Sequence, residues 1–472
     1  MASETQAPPL DPTAFGELAG SLQGELLLPT DPGYDSARRI WNGAIDRRPA
    51  GIVRCAGVAD VVAAVRFARE RGLEVGVRGG GHNVAGTATC DDGIVIDLSA
   101  MRAVSVDPAA RTARVQGGAL WTDVDRETQA YGLATPGGIV SHTGVAGLTL
   151  GGGLGFLMRK HGLAVDNLLD AEIVTAEGAV LRASADERPD LFWALRGGGG
   201  NFGVVTSFRF GLQRVGPTVT AGPIFWAADD TDAVLRFYRD FVAEAPDELG
   251  TVVRLGTVPP LAAIPENLHW QPAIAVVCCY AGAADDGARA VSALRRFGTP
   301  LVDLTSPVRY VDFQCGLDVS VPHGWHYYWK GTTLASLSDD AVAVIADHAY
   351  APGSPRSYAA IFHMGGAVAR VSHDATAFAG RDIAHNMSID AVWLPDEPGE
   401  RAAAETQWAR RFFEALRPHS AGGVYVNFLD SDDDSSRVRE AYGERVYRRL
   451  AEVKTIYDPD NVFHLNKNIQ PG

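Results

Sequence analysis

The sequence predicts an α+β fold in two parts, one organised around glycine loops and one of antiparallel sheet backed by helices. Three observations lead there. Every run of three or more glycines falls within the first 205 residues, segments of strand and helix character then alternate to about residue 421, and the last fifty residues return to short, asparagine-punctuated pieces. A chain of 472 residues also exceeds the size at which one hydrophobic core keeps growing, so two domains are expected. The boundaries read as a mobile tail at 1–12, a first domain at 13–215, a second at 216–421, and a segment at 422–472 that rejoins the first.

The elements follow from periodicity. In GVADVVAAVRFARERG, Gly57 to Gly72, the residues Val61, Val62, Val65 and Ala68 share one helical stripe and Gly72 is a natural stop. Leu73, Val75 and Val77 then alternate with Glu74 and Gly76, which predicts a strand running into the glycines at Gly79. Strands are expected at Ile94 to Leu98 and Ala113 to Gln116, a helix near Trp121 to Tyr131, and a hairpin over Ala171 to Leu181 that turns at Glu177 and Gly178. In the second part, Ser357 to Met364 reads as a strand with Tyr358, Phe362 and Met364 on one face, and Ala402 to Leu416 as a helix.

Composition narrows the function. A formal charge of -15 argues against nucleic acid or an anionic membrane as partner, because either needs a strong basic face. The five cysteines show no disulfide framework and no zinc spacing, so no metal is expected. The opening MASETQAPPLDP lacks a secretory signal, and no stretch reaches the roughly 18 to 20 apolar residues of a membrane span. A cytoplasmic protein, monomer or homodimer, is the expectation.

Three glycine-rich segments carry the chemistry: RGGGHN at Arg78 to Asn83, the run from Pro136 to Gly155, and RGGGGNFG at Arg196 to Gly203. Backbone without side chains can bring several N–H donors to phosphate oxygens, so a diphosphate cofactor suits an otherwise acidic chain. Gly198, Gly200 and Gly203 satisfy G-x-G-x-x-G, yet a predicted helix precedes them and a strand follows, the reverse of a Rossmann site. No G-x-x-x-x-G-K-[ST] run exists, which excludes a P-loop.

The segments RPAGIVRCAGVADVVAAV, VRGGGHN, TPGGIVSHTGVAGLTLGGGLGFLMRKHGLAVDN, DLFWALRGGGGNFGVVT and YDPDNVFHLNKNIQP resemble the berberine-bridge-enzyme-like branch of the vanillyl-alcohol-oxidase flavoproteins, over nearly the whole chain. The resemblance implies a two-subdomain FAD-binding domain of the PCMH type plus a substrate domain. It implies that His82 bonds through an imidazole nitrogen to the flavin 8α-methyl, chemistry open to a neutral imidazole. Many relatives add a bond from a cysteine to flavin C6; Val140 stands at that position, so a singly attached FAD is expected. Thr143 aligns with the position that gates oxygen, and its small side chain implies an oxidase.

By the same correspondence Arg78, Gly79, Gly80, Gly81, Asn83, Pro136, Gly137, Gly144, Gly147, Gly151, Gly152 and Gly153 are expected along the cofactor, with Gly203, Val205, Asn427 and Asn466 closing over it. Tyr425, in the YVNF segment that the family uses near the flavin, is the first candidate for catalytic base or positioning hydroxyl. In PHGWHYYWKG, Pro322 to Gly331, an alternating aromatic strand is expected to floor a pocket, with Tyr328 and Lys330 as catalytic candidates. Phe362 and His363 are weaker ones. The expected reaction removes a hydride from a C–H next to nitrogen or oxygen of a small organic substrate and passes the electrons to O2, giving H2O2. A dehydrogenase with another acceptor, and a flavin-carrying binding protein without catalysis, are the alternatives.

Overall fold

The computed structural model describes residues 12–350 and 353–472. The expected tail lies outside the described residues except for Pro12, which opens the helix Pro12–Ser21. The predicted amphipathic helix forms at Val58–Glu70, buries Val61, Ala64, Val65 and Ala68, and ends as Gly72 turns at a φ of +62°. The strand after it, Val75–Arg78, runs directly into the first glycine loop.

Among the described residues, the N-terminal half holds two larger sheets. The first has four strands in the order Glu25–Leu27, Gly51–Arg54, Ile94–Asp97, Val75–Arg78, with the last three mutually parallel. The second has five antiparallel strands between Val104 and Gly211, including the expected hairpin Leu168–Val174 and Val180–Ser184. The third glycine segment sits between the helix Pro189–Leu195 and the strand Val204–Gly211, in the helix-then-strand order that argued against a Rossmann site.

The second half forms one eight-stranded sheet from Thr218 to Trp393, antiparallel in every pair. Its two faces differ. Ile361, Ile389 and Ala391 pack on one side against Trp408 and Phe412 of the helix Gly399–Leu416, and against Val342 and Ile345 of the helix Asp339–His348. Val252, Ala360 and Phe362 face the other way, towards the glycine domain. Cross-strand neighbours share a face, so a single register sets which side chains meet the cofactor.

After residue 422 the chain packs back into the core of the five-stranded sheet, where Val424, Val426, Leu450 and Ile469 join Ala113, Phe208 and Phe210. The long helix Ser435–Tyr457 is secured by Lys454, whose ammonium donates to Asn201 O at 2.7 Å, Asp458 Oδ2 at 2.6 Å and Phe463 O at 3.0 Å. All three of its donors are thereby used with both side chains 0% exposed, and Asn201 belongs to the third glycine segment. Removing one member of such a buried pair leaves the other charge stranded, which costs about 3–5 kcal/mol. Lys454→Ala is therefore expected to lose about that much unfolding free energy in denaturant titration, and a loss below ~1 kcal/mol would show that the clamp is not structural.

Candidate functional site

One long groove runs between the glycine domain and the free face of the eight-stranded sheet. Its wall takes backbone from all three glycine segments: Gly79, Gly80 and Gly81; Gly138, Gly144 and Gly147; Gly199, Gly200 and Gly203. Two of these loops touch backbone to backbone. A Cβ on Gly80 would sit 2.5 Å from Gly144 Cα and N, and one on Gly144 would sit 2.4 Å from Gly80 N, so only glycine permits the approach.

Asn83, Val140, Thr143, Val205, Asn427 and Asn466 also line the groove, as does His82. Other expected cofactor residues do not. The Arg78 guanidinium is paired with Asp97 and donates to the carbonyls of Ala37 and Arg39, bracing the loop from behind rather than reaching a phosphate. Pro136 and Gly137 lie outside the wall because Gly137 packs on the Trp121 ring. Gly151, Gly152 and Gly153 are likewise set back, making room for Asn427, Phe378 and Ala164 respectively.

The catalytic candidates divide by strand parity. In the strand His326–Leu334, Tyr327 and Trp329 point towards the glycine domain, whereas Tyr328 and Lys330 point the opposite way. Lys330 Nζ is held by Asp432 Oδ1 at 2.7 Å and Asp433 Oδ1 at 3.0 Å, and Tyr328 donates to Asp432 Oδ2 at 2.8 Å while accepting from Arg410 Nε. Neither reaches the groove, so both expectations are corrected. His363 is removed for the same reason, its ring meeting Arg159, while Phe362 lines the groove. Tyr425 lies in the wall just before a 3-10 turn, Val426–Phe428, and its hydroxyl accepts from Gly153 N at 2.9 Å and Asn427 Nδ2 at 2.8 Å. Burial pushes that phenol up to about 12.

Sequence reasoning missed Asp390. It lies in the strand His385–Trp393, paired across the sheet with Trp329 on one side and Tyr358 on the other, and all three line the groove. The carboxyl is 1% exposed and accepts from Ser388 Oγ at 2.6 Å. Burial raises it to about 7, against the hydrogen bond and the nearby Arg254. A lone acid inside the run HNMSIDAVW was the available signal.

Three further residues are brought in from distant sequence. Trp41 stacks between His82, at 4.4 Å and 17°, and Tyr327, at 3.7 Å and 19°, and its indole N–H donates to Val321 O at 2.8 Å. His142 Nδ1 lies 2.8 Å from His82 Nε2, and one nitrogen each of His82, His142 and His323 fall within 4.8 Å of one another. Burial first, then His142 and His323, holds His82 well below the usual histidine range. No spacing in the sequence announces this convergence.

The groove fits a flavin dinucleotide on its own evidence. Trp329 Nε1, the Tyr442 hydroxyl and Asn466 Oδ1 are buried in its wall without partners, as expected of groups awaiting a polar ligand. The sheet side of its wall is largely apolar and aromatic, the loop side is largely glycine backbone, and among the described residues lining it Lys467 is the one Lys or Arg. These are the properties of an FAD-dependent oxidoreductase.

Comparison with known proteins agrees. Residues 49–184 match the model described as FAD binding domain, and residues 424–470 match the one described as berberine and berberine like. (R)-6-hydroxynicotine oxidase of Paenarthrobacter nicotinovorans is 34% identical, covering 96% of this chain and 97% of that protein. The crystal structure of 6-hydroxy-D-nicotine oxidase from Arthrobacter nicotinovorans superposes with a TM-score of 0.84 at 33% identity, over 96% of this chain and 99% of that one. Xylooligosaccharide oxidase of Thermothelomyces thermophilus is 29% identical over 92% of this chain and 89% of its own. The chain belongs to the berberine-like family of FAD-linked oxidoreductases.

Because the Gly80 and Gly144 backbones touch, Gly80→Ala is expected to force the loops apart and to lower the flavin-to-protein absorbance ratio at least several-fold. Gly57→Ala, which meets nothing within 4 Å, is expected to keep it. Equal flavin content in both variants would show that the contact does not shape the cofactor groove.

Proposed function

We propose that the protein is an oxidase that carries FAD attached through His82 alone and oxidises a small organic amine or alcohol at the C–H next to the heteroatom. FAD held there would supply the hydride acceptor, with O2 as the oxidant that would regenerate it and yield H2O2. The observation that carries the reading is Asp390, an ionisable group at neutral pH set among Trp329, Tyr358 and Phe362 on the substrate-domain face of the cofactor groove.

Of Asp390 and Tyr425, Asp390 is the better base. A general base works best with a pKa near the operating pH, which suits a carboxyl at about 7 and not a phenol at about 12. Ionised Asp390 takes the proton from a substrate hydroxyl or ammonium, leaving the heteroatom lone pair to assist C–H cleavage. Tyr425, its oxygen already accepting two N–H donors, stays protonated and positions substrate or cofactor as a donor. The aromatic rings exclude water from the reacting end.

The single linkage is supported by the wall itself. His82 lines the groove with its ring held flat by Trp41, while none of the five cysteines lines it and Val140 has no sulfur to offer. Glucooligosaccharide oxidase from Acremonium strictum, at 24% identity and a TM-score of 0.81, carries 6-S-cysteinyl, 8α-N1-histidyl FAD. Thr143, small and in the wall, leaves room for O2.

Two outcomes test this. Acid-denatured wild-type chain is expected to retain yellow flavin and His82→Ala to release it; release from the wild type would refute the linkage. Asp390 is active only when ionised, so its raised pKa predicts kcat rising with pH through about 7. Asp390→Asn is expected to lower kcat by about 100-fold or more and to erase that inflection. An unchanged pH profile in Asp390→Asn would assign the base elsewhere, and slow reoxidation of reduced protein by air would favour an acceptor other than O2.

A further inference from the structure

We infer that His142 is the positioning residue that readies His82 for covalent attachment, by taking the proton from its Nε2; this rests on the His82 linkage proposed above. The two rings come from different loops, sixty residues apart, yet Nε2 of His82 and Nδ1 of His142 meet at 2.8 Å. Trp41 stacked on the His82 ring holds it in that orientation.

An imidazole attacks through a lone pair in its plane, so the nitrogen facing His142 is not the attacking one. With Nε2–H donated to His142, the lone pair of His82 resides on Nδ1, the tautomer that a hydrogen-bonded neighbour selects. Burial lowers the proton affinity of both rings, so both are neutral at physiological pH and the nucleophile is always present. When Nδ1 bonds to the 8α carbon, the ring would become a buried cation unless Nε2 gives up its proton. His142 Nδ1 is placed to receive it, and the Asp318 carboxyl beside His142 opposes the burial effect and favours the protonated ring.

The balance closes with O2 as co-reactant. The N–C bond forms, one C–H bond of the 8α-methyl breaks with its proton leaving to water, and the Nε2 proton passes to His142. The electron pair of that C–H bond enters the flavin ring and is then taken, with two protons, by O2 to give H2O2. Asp318 also secures the segment that presents His142, accepting from Ser141 N at 2.9 Å and Ser141 Oγ at 2.6 Å. His323 approaches edge-on with its centroid 5.9 Å from that of His82 and makes no hydrogen bond to it, so the transfer is assigned to His142.

The test follows attachment rather than turnover. Full-length chain produced under riboflavin limitation is supplied with FAD, and covalent flavin is measured over time in acid-precipitated protein, alongside total bound flavin. His142→Ala and His142→Gln are expected to bind FAD but to attach it at least tenfold more slowly, and added imidazole is expected to restore part of the rate in His142→Ala. Attachment at the wild-type rate in both variants would overturn the assignment. So would a loss of FAD binding in both, which would make His142 part of the binding wall. If the wild type itself never retains flavin in acid, the His82 linkage fails instead.

Discussion

The backbone contact between Gly80 and Gly144 is the constraint on which the site depends. It joins the loop after Val75–Arg78, in the four-stranded sheet, to the loop before the helix Val145–Leu150, beside the five-stranded one. A methyl on either residue would lie about 2.5 Å from the other's backbone, so the two loops could not keep this approach. That approach brings His82 and His142, which flank it in sequence, within hydrogen-bond distance. It also lines the groove with bare backbone, whose peptide N–H groups can offer an anion donors that cost no side-chain entropy and present no surplus charge.

The other wall is set by sheet register. Because Asp390 pairs with Trp329 and Tyr358, three adjacent strands deliver one acid and two aromatic rings to the same face. Burial among these apolar neighbours is what raises the Asp390 carboxyl towards neutrality. The C-terminal segment completes the arrangement by tying Asn201 to Lys454 and by placing Tyr425, Asn427 and Asn466 in the wall.

Much of this was legible in the sequence where the signal is local. The helix Val58–Glu70, the strand into the first glycine loop, the hairpin at Glu177 and Gly178 and the order around Gly198 to Gly203 all follow from periodicity and turn chemistry. What failed was parity and partnership. Alternation marks the aromatic strand but does not say which face meets the cofactor, and Tyr328 and Lys330 face helix Gly399–Leu416 and the Asp432 cluster. Arg78 reads in sequence as a cofactor contact, but the fold pairs it with Asp97, nineteen residues on and directly across on the adjacent parallel strand. Trp41, His142 and Asp390 carry no local signal because their partners lie 32 to 286 residues away in sequence, separations that only the fold closes.

The measurement that bears most directly on this account is an experimental structure of the flavin-loaded protein. The account predicts the diphosphate oxygens within about 3 Å of backbone N–H groups from the Gly79–Asn83 and Gly144–Gly147 stretches, with no guanidinium in contact. A diphosphate held instead by Arg78, swung away from Asp97, or a dinucleotide lying outside the groove, would contradict it.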